Sequence, residues 1–127
     1  MNSPVIIGNR SERGARKMRQ ATKDLARSVL RLRETAKSNF GSSGPALNLM
    51  LALLAFDERL AGRHIGSVAE RAHVPRSTAL RWLRKLQQSG YVSLVGDRHD
   101  GRAVRVSMTS SGIETMQASF ITARLIR

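Results

Sequence analysis

The stretch SVAERAHVPRSTALRWLRKLQQSGYVSLVGDRHDGRAVRVSMTSSG, from Ser67 to Gly112, decides the fold. Ser67-Val68-Ala69-Glu70 has the capping-box pattern, a Ser followed three residues later by a Glu that can reach back. It predicts a short helix ending near Ala72. His73-Val74-Pro75 reads as a tight connection. A second helix is expected from Arg76 to Ser89, with Gly90 as its stop. Tyr91 to Val95 reads as a strand and residues 96–101 as a turn. Ala103 to Met108 alternates, with Val104, Val106 and Met108 on one face and Arg105 and Ser107 on the other, which predicts a second strand. Helix, tight turn, helix, strand, basic turn, strand is the order of a winged helix-turn-helix.

The second helix must then put one face in the core and the other in a major groove. Ala79, Trp82, Leu83 and Leu86 form the inward face by spacing, and Leu80 beside them is also assigned to packing. Arg76, Ser77, Thr78, Arg81, Arg84 and Lys85 lie on the rest and are the candidate DNA contacts. Short hydroxyls in the first turn can reach phosphates or base edges. An Arg can give guanine two parallel hydrogen bonds. In the turn between the strands, Arg98, His99 and Arg102 are the candidate contacts.

Outward from this stretch, the chain divides by composition. Residues 1–14 carry Pro4, Gly8 and Gly14 with no periodicity, and read as a flexible basic arm. From Ala15 to about Phe40, Met18, Thr22, Leu25, Val29, Leu32 and Ala36 follow a 4-3-4-3-4 spacing, a heptad-type seam. Arg16, Lys17, Arg19, Lys23, Arg27, Arg31, Arg33 and Lys37 surround it. The seam fits a dimer contact, or packing against the chain's own last helix, and both can hold at once. Gly41-Ser42-Ser43-Gly44 is a break, and Pro45 suits the first turn of a new helix. Ala46 to Leu60 is apolar nearly all round, as in a central buried helix. Residues 45–108 are read as the DNA-binding domain and 109–127 as a C-terminal dimerisation helix, with Ile113, Met116 and Phe120 on its apolar face. Met18, Leu25, Val29 and Leu32 are the matching dimerisation candidates on the first helix. The expected fold class is mainly α with a small β-hairpin wing, flanked by N- and C-terminal dimerisation helices.

Charge limits the partners. The 127 residues hold 22 Lys+Arg against 9 Asp+Glu, a formal net charge of +13. An excess of this size predicts a polyanionic partner. Ten of the basic residues lie in residues 1–40 and eight in residues 63–102, on either side of a nearly neutral apolar block. There are no cysteines, which excludes disulfides, thiolate metal sites and thiol sensing. The opening MNSPVIIGNRSERG has no apolar core for a signal peptide. The longest apolar run, Ala46 to Phe56, is far short of the roughly 20 residues of a membrane span. A cytoplasmic protein without membrane partner is expected. His64, His73 and His99 have no metal-ligand spacing, and neither a phosphate-binding glycine loop nor a nucleophile elbow is present, so neither catalysis nor a cofactor is expected. The rival reading is a nonspecific nucleic-acid-binding or nucleoid-type protein. Few aromatics are available for stacking, which disfavours single-stranded RNA.

The stretch from Ser67 to Gly112 resembles the MarR family of winged-helix transcription regulators. The resemblance rests on the Ser-Thr start of the second helix, on Gly90-Tyr91-Val92, on the wing Asp97-Arg98-His99-Asp100-Gly101-Arg102, and on the strand end Met108-Thr109-Ser110-Ser111-Gly112. It implies a homodimer that reads palindromic double-stranded DNA, with each second helix in a major groove and each wing beside a minor groove. It also implies that Asp97 shapes the wing through an internal ion pair. His99 stands where the family has a wing arginine, so the tip contact falls on Arg98 or on His99 itself. Members of the family often bind a small-molecule effector between the dimer helices and the DNA-binding lobe.

Overall fold

The computed structural model describes residues 5–56, 63–96 and 104–127, with residues 5–10 described by their backbone alone. Five helices and three short strands follow in the order α1 (Val5–Phe40), α2 (Pro45–Ala55), β1 (Arg63–His64), α3 (Ile65–Ala72), α4 (Arg76–Gln88), β2 (Val92–Gly96), β3 (Val104–Met108) and α5 (Ser110–Thr122). The strands form one antiparallel sheet in the order β1-β3-β2. This is a mainly helical winged helix-turn-helix, as expected.

Helix α1 runs for 36 residues, about 54 Å at 1.5 Å per residue. It corrects the expected arm, because residues 5–14 are helical. Gly8 and Gly14 each cost about 1 kcal/mol in a helix. A helix already nucleated downstream still gains one hydrogen bond for each residue it adds. From residue 11 to residue 27 every side chain is exposed. Burial begins at Ser28 and continues through Leu32, Ala36 and Phe40, four residues apart. Among the side chains described, those of the last third of α1 therefore pack on their own chain, and Gly41, at φ +80°, ends the helix.

Helix α2 starts at Pro45 and buries Ala46, Leu47, Leu49, Met50, Ala52 and Leu53. It is the central helix, in contact with α1, α3, α4, α5 and β3. It ends at Ala55, short of the expected Leu60.

Ser67 does not cap α3, which begins two residues earlier at Ile65 and has no side-chain cap. Ile65 is buried among the core residues. The helix also leaves directly from β1, where Arg63 pairs with Val106 and His64 with Arg105. Burial and strand pairing fix the start, leaving Ser67 exposed in the first turn. The hairpin is accordingly the larger part of a three-stranded sheet.

The helix ends recur in one form. After α3, His73 N–H donates to Glu70 O and Val74 N–H to Ala69 O. After α4, Gly90 donates to Gln87 and Tyr91 to Leu86, and after α5, Arg124 donates to Ile121 and Leu125 to Phe120. Each is a Schellman closure with a left-handed residue at its centre: His73 at φ 56°, Gly90 at 84° and Arg124 at 63°.

The core is contiguous. Leu49, Met50, Val68, Leu83, Leu86, Val92, Val106 and Met116 are its fully buried large side chains. No helix among the described residues is long and apolar enough to cross a membrane.

Candidate nucleic-acid interface

Helix α4 is held from behind and bare in front. Ala79 and Leu83 are completely buried and Leu86 nearly so. Leu80, assigned to packing, is partly buried against the same cluster. Ser77, Arg81 and Arg84 lie four and three residues apart, on one face of the helix opposite the buried stripe. They are exposed, as are Arg76 and Lys85, and Thr78 is partly buried. The structure thus brings Arg76, Ser77, Thr78, Arg81, Arg84 and Lys85 onto one short helix.

No acidic residue occurs in α4. Among the described residues, Arg76, Arg81 and Arg84 have neither a carboxylate partner nor a protein acceptor, and the ion pair present is Arg27 with Asp24 on α1, at 3.5 Å. Pro75 stands at the N-cap and no side chain caps the helix. The amides of its first turn therefore keep their partial positive charge, which favours an anion.

Trp82 packs against the core, as its spacing predicts, at the margin of the inward face. It is only partly buried, and Lys85 Nζ lies 4.6 Å from its ring centroid. The indole lies close to Gly41. Lys85 is thus drawn toward an aromatic of its own chain.

The wing strands pair in register from Val92↔Met108 to Gly96↔Val104. Val106 is buried in the centre and Arg105 lies half-exposed beside it. The expected contacts Arg98, His99 and Arg102, and the expected wing-shaping Asp97, lie outside the described residues.

The dimerisation candidates divide. Met18 is 70% exposed, Leu25 57% and Val29 37%. Leu32 and Met116 are buried in the chain's own core, and Ile113 and Phe120 are partly buried. Leu32 and Met116 are therefore corrected: the end of α1 packs on α5 within one chain, and their side chains have no surface left for a partner.

One joint was missed by sequence reasoning. The carbonyl of Tyr91 accepts the Thr109 N–H at 3.1 Å. Thr109 Oγ1 donates to the Gly90 carbonyl and accepts from the Gly112 N–H at 3.0 Å. A Cβ on Gly112 would collide with the Tyr91 carbonyl. The Tyr91 ring meets Phe40 edge-on, with centroids 5.2 Å apart. The Thr-x-x-Gly spacing was the only sequence signal for it. Arg71 was missed as well: its guanidinium lies 3.9 Å over the Phe56 ring, beside an open cleft of about 320 Å³ between α2 and α3.

Residues 46–96 match the family model of the IclR helix-turn-helix domain. No curated protein matches the sequence. Among solved structures, the chain is similar to a MarR-family transcriptional regulator from Silicibacter pomeroyi, at 26% identity over 84% of this chain and 68% of that one, with a TM-score of 0.62. It is similar in fold to S. aureus MepR in complex with DNA, at 17% identity over 85% and 82%, TM-score 0.63. It is also similar to the PcaV transcriptional regulator of Streptomyces coelicolor in complex with its natural ligand, at 20% identity over 98% and 79%, TM-score 0.58. The fold of this chain is that of the MarR-family regulators.

Proposed function

We propose that the chain is a MarR-type transcriptional regulator that binds a palindromic duplex operator as a homodimer. The observation that carries this reading is the front of α4. Four cations and two hydroxyls stand there on a helix without acid, and its arginines have no partner among the described residues. Such a face is solvated in the free chain and complementary to a polyanion, and MepR, of the same fold, was solved on DNA. In this reading Ser77, Thr78, Arg81 and Arg84 enter the major groove, and Arg76 and Lys85 meet phosphates. The wing reaches the minor groove through Arg98, His99 or Arg102, with Asp97 shaping its tip. No catalysis, metal or cofactor belongs to this function.

The homodimer rests on α1. The exposed seam of Met18, Leu25 and Val29 lies on or beside a length of helix, residues 11–27, whose side chains are all exposed. The seam leaves large apolar side chains in water, and a second copy supplies an equal seam to cover them. Ile113 and Phe120, half-exposed on α5, extend the contact. An effector is part of the proposal too, because PcaV carries its natural ligand. The cleft beside Arg71 and Phe56 is one place where a small molecule fits.

The +13 charge and the exposed basic length of α1 favour a second reading, sequence-independent DNA coating. One experiment separates the two. Duplexes selected from a random pool by the purified chain are expected to converge on a two-fold symmetric consensus. Recovery of unrelated sequences overturns the regulator in favour of the coating protein.

A further inference from the structure

Helix α4 packs on α2 and α3 along its buried stripe, and its C-terminal end meets α1 and α5 at the dipeptide Gly90-Tyr91. We propose that Tyr91 is a positioning residue that fixes the direction of α4 against α1 and α5. It would thereby set the half-site spacing that the dimer accepts. The inference rests on the dimeric reading above.

Gly90 and Tyr91 close α4 through hydrogen bonds of 2.9 Å each to Gln87 and Leu86. The same two residues join the end of α4 to the other two helices. Their carbonyls receive Thr109, the N-cap of α5. Gly112, in the first turn of α5, is pressed onto the Tyr91 carbonyl too closely to admit a side chain. On the other side the Tyr91 ring meets Phe40, the last residue of α1, at an interplanar angle of 86°.

The two sides of the joint differ in kind. Thr109 and Gly112 fix the position of the α4 end through backbone contacts, which pivot but do not slide. The edge-to-face pair stops the pivot, because it resists rotation more than a shapeless apolar contact does. Helix α1 carries the exposed seam, and α4 carries the exposed arginines. Helices α2, α3 and α4 pack on one another, so a change of angle at Tyr91 turns them together, and Arg76 at the far end of α4 moves with them. In a dimer two such changes add. A single half-site does not register them, because one α4 can settle in one groove at any angle to its partner.

The test compares one half-site with two. The selected palindrome is prepared with its half-sites moved apart or together by single base pairs, together with a duplex carrying one half-site. The parent chain is expected to prefer one spacing sharply. Tyr91→Leu keeps apolar bulk and loses the edge contact. It is expected to flatten that preference about three- to tenfold, the value of one aromatic pair, while single half-site affinity stays within about twofold. Tyr91→Phe keeps the ring and is expected to restore the sharp preference. Phe40→Leu breaks the same contact from the α1 side and stands in if Tyr91→Leu does not fold.

Unchanged sharpness in both leucine variants overturns the inference. An equal loss on single and double sites overturns it too, because that is what a merely structural residue would give. A parent chain that sediments as a monomer on its site overturns the dimeric reading and this inference together. A dimer with indifferent leucine variants overturns the inference alone.

Discussion

Gly112 shows how much can depend on one missing carbon. It sits in the first turn of α5, where the helix start presses on the end of α4. Adding a Cβ would drive it into the Tyr91 carbonyl, which is backbone and has little room to move. Gly112→Ala is therefore expected to destabilise the fold by about 1–3 kcal/mol, the usual cost of overpacking, even though alanine is the better helix former. Urea unfolding measures it, and a variant at least as stable as the parent would refute the close contact. His73 makes the opposite case. It holds φ 56° at the end of α3, a conformation that costs an L-residue roughly 1–2 kcal/mol. Glycine removes that cost but adds freedom to the unfolded chain. His73→Gly is thus expected to leave stability level or raise it by up to about 1 kcal/mol, and a clear loss in thermal unfolding would show that the imidazole makes a contact worth more than the strain. Arg81 belongs to function. It lies exposed in the middle of the α4 stripe, so Arg81→Ala is expected to cost about 1–3 kcal/mol of operator affinity and to relax preference at one base. Equal selectivity before and after the change would remove Arg81 from the reading surface.

At the scale of elements, α1 is two structures in succession. Its last third is a core helix, and the length before it is an amphipathic rod whose side chains, from residue 11 to residue 27, are all exposed. Extended from the packed third, the rod is expected to fray from its N-terminal end where nothing covers its seam. Leu25→Lys places a charge in that seam, where Leu25 is 57% exposed and so contributes little to the monomer's core. Sedimentation is expected to show a dimer for the parent and a monomer for the variant, with helical circular dichroism falling as the dimer is lost. Full helicity in a monomeric variant would mean that the rod stands alone. The same helix shows what was legible in the chain. Its seam was visible because a 3-4 spacing is local. Which half of the seam faces inward was not, because that depends on where α5 packs. Strand β1 left no signal, since Arg63 and His64 have no alternation and become a strand only by pairing with β3. The capping box at Ser67 was a sound local pattern overridden by burial of Ile65. The α4 stripe was legible nearly whole, because burying Ala79, Leu83 and Leu86 leaves the arginines only one direction to face. For Trp82, at the edge of the stripe, the packing was legible but not its depth, which is set by what the neighbouring helix leaves open.

On the scale of the whole molecule, charge and symmetry become measurable together. One chain carries +13, and a dimer carries twice that, so binding to DNA is expected to weaken by about a thousandfold or more between about 50 and 200 mM salt. That loss alone would also suit a coating protein. The slope of affinity against salt, combined with one substitution, distinguishes them. Arg76 is exposed in the first turn of α4, where the helix end already favours a phosphate. If Arg76 neutralises one phosphate per protomer, Arg76→Ala removes two contacts from a dimer on its operator. The logarithmic slope is then expected to shallow by about 1.8, against about 0.9 for a single chain on DNA. Sequence preference should stay the same, since phosphate contacts position and do not read. Fluorescence anisotropy at a series of salt concentrations gives both numbers, with the selected operator and a scrambled duplex measured side by side. A slope that does not change would leave Arg76 solvated in the complex. A change of about 0.9 on the palindrome would place one chain, not two, on each site.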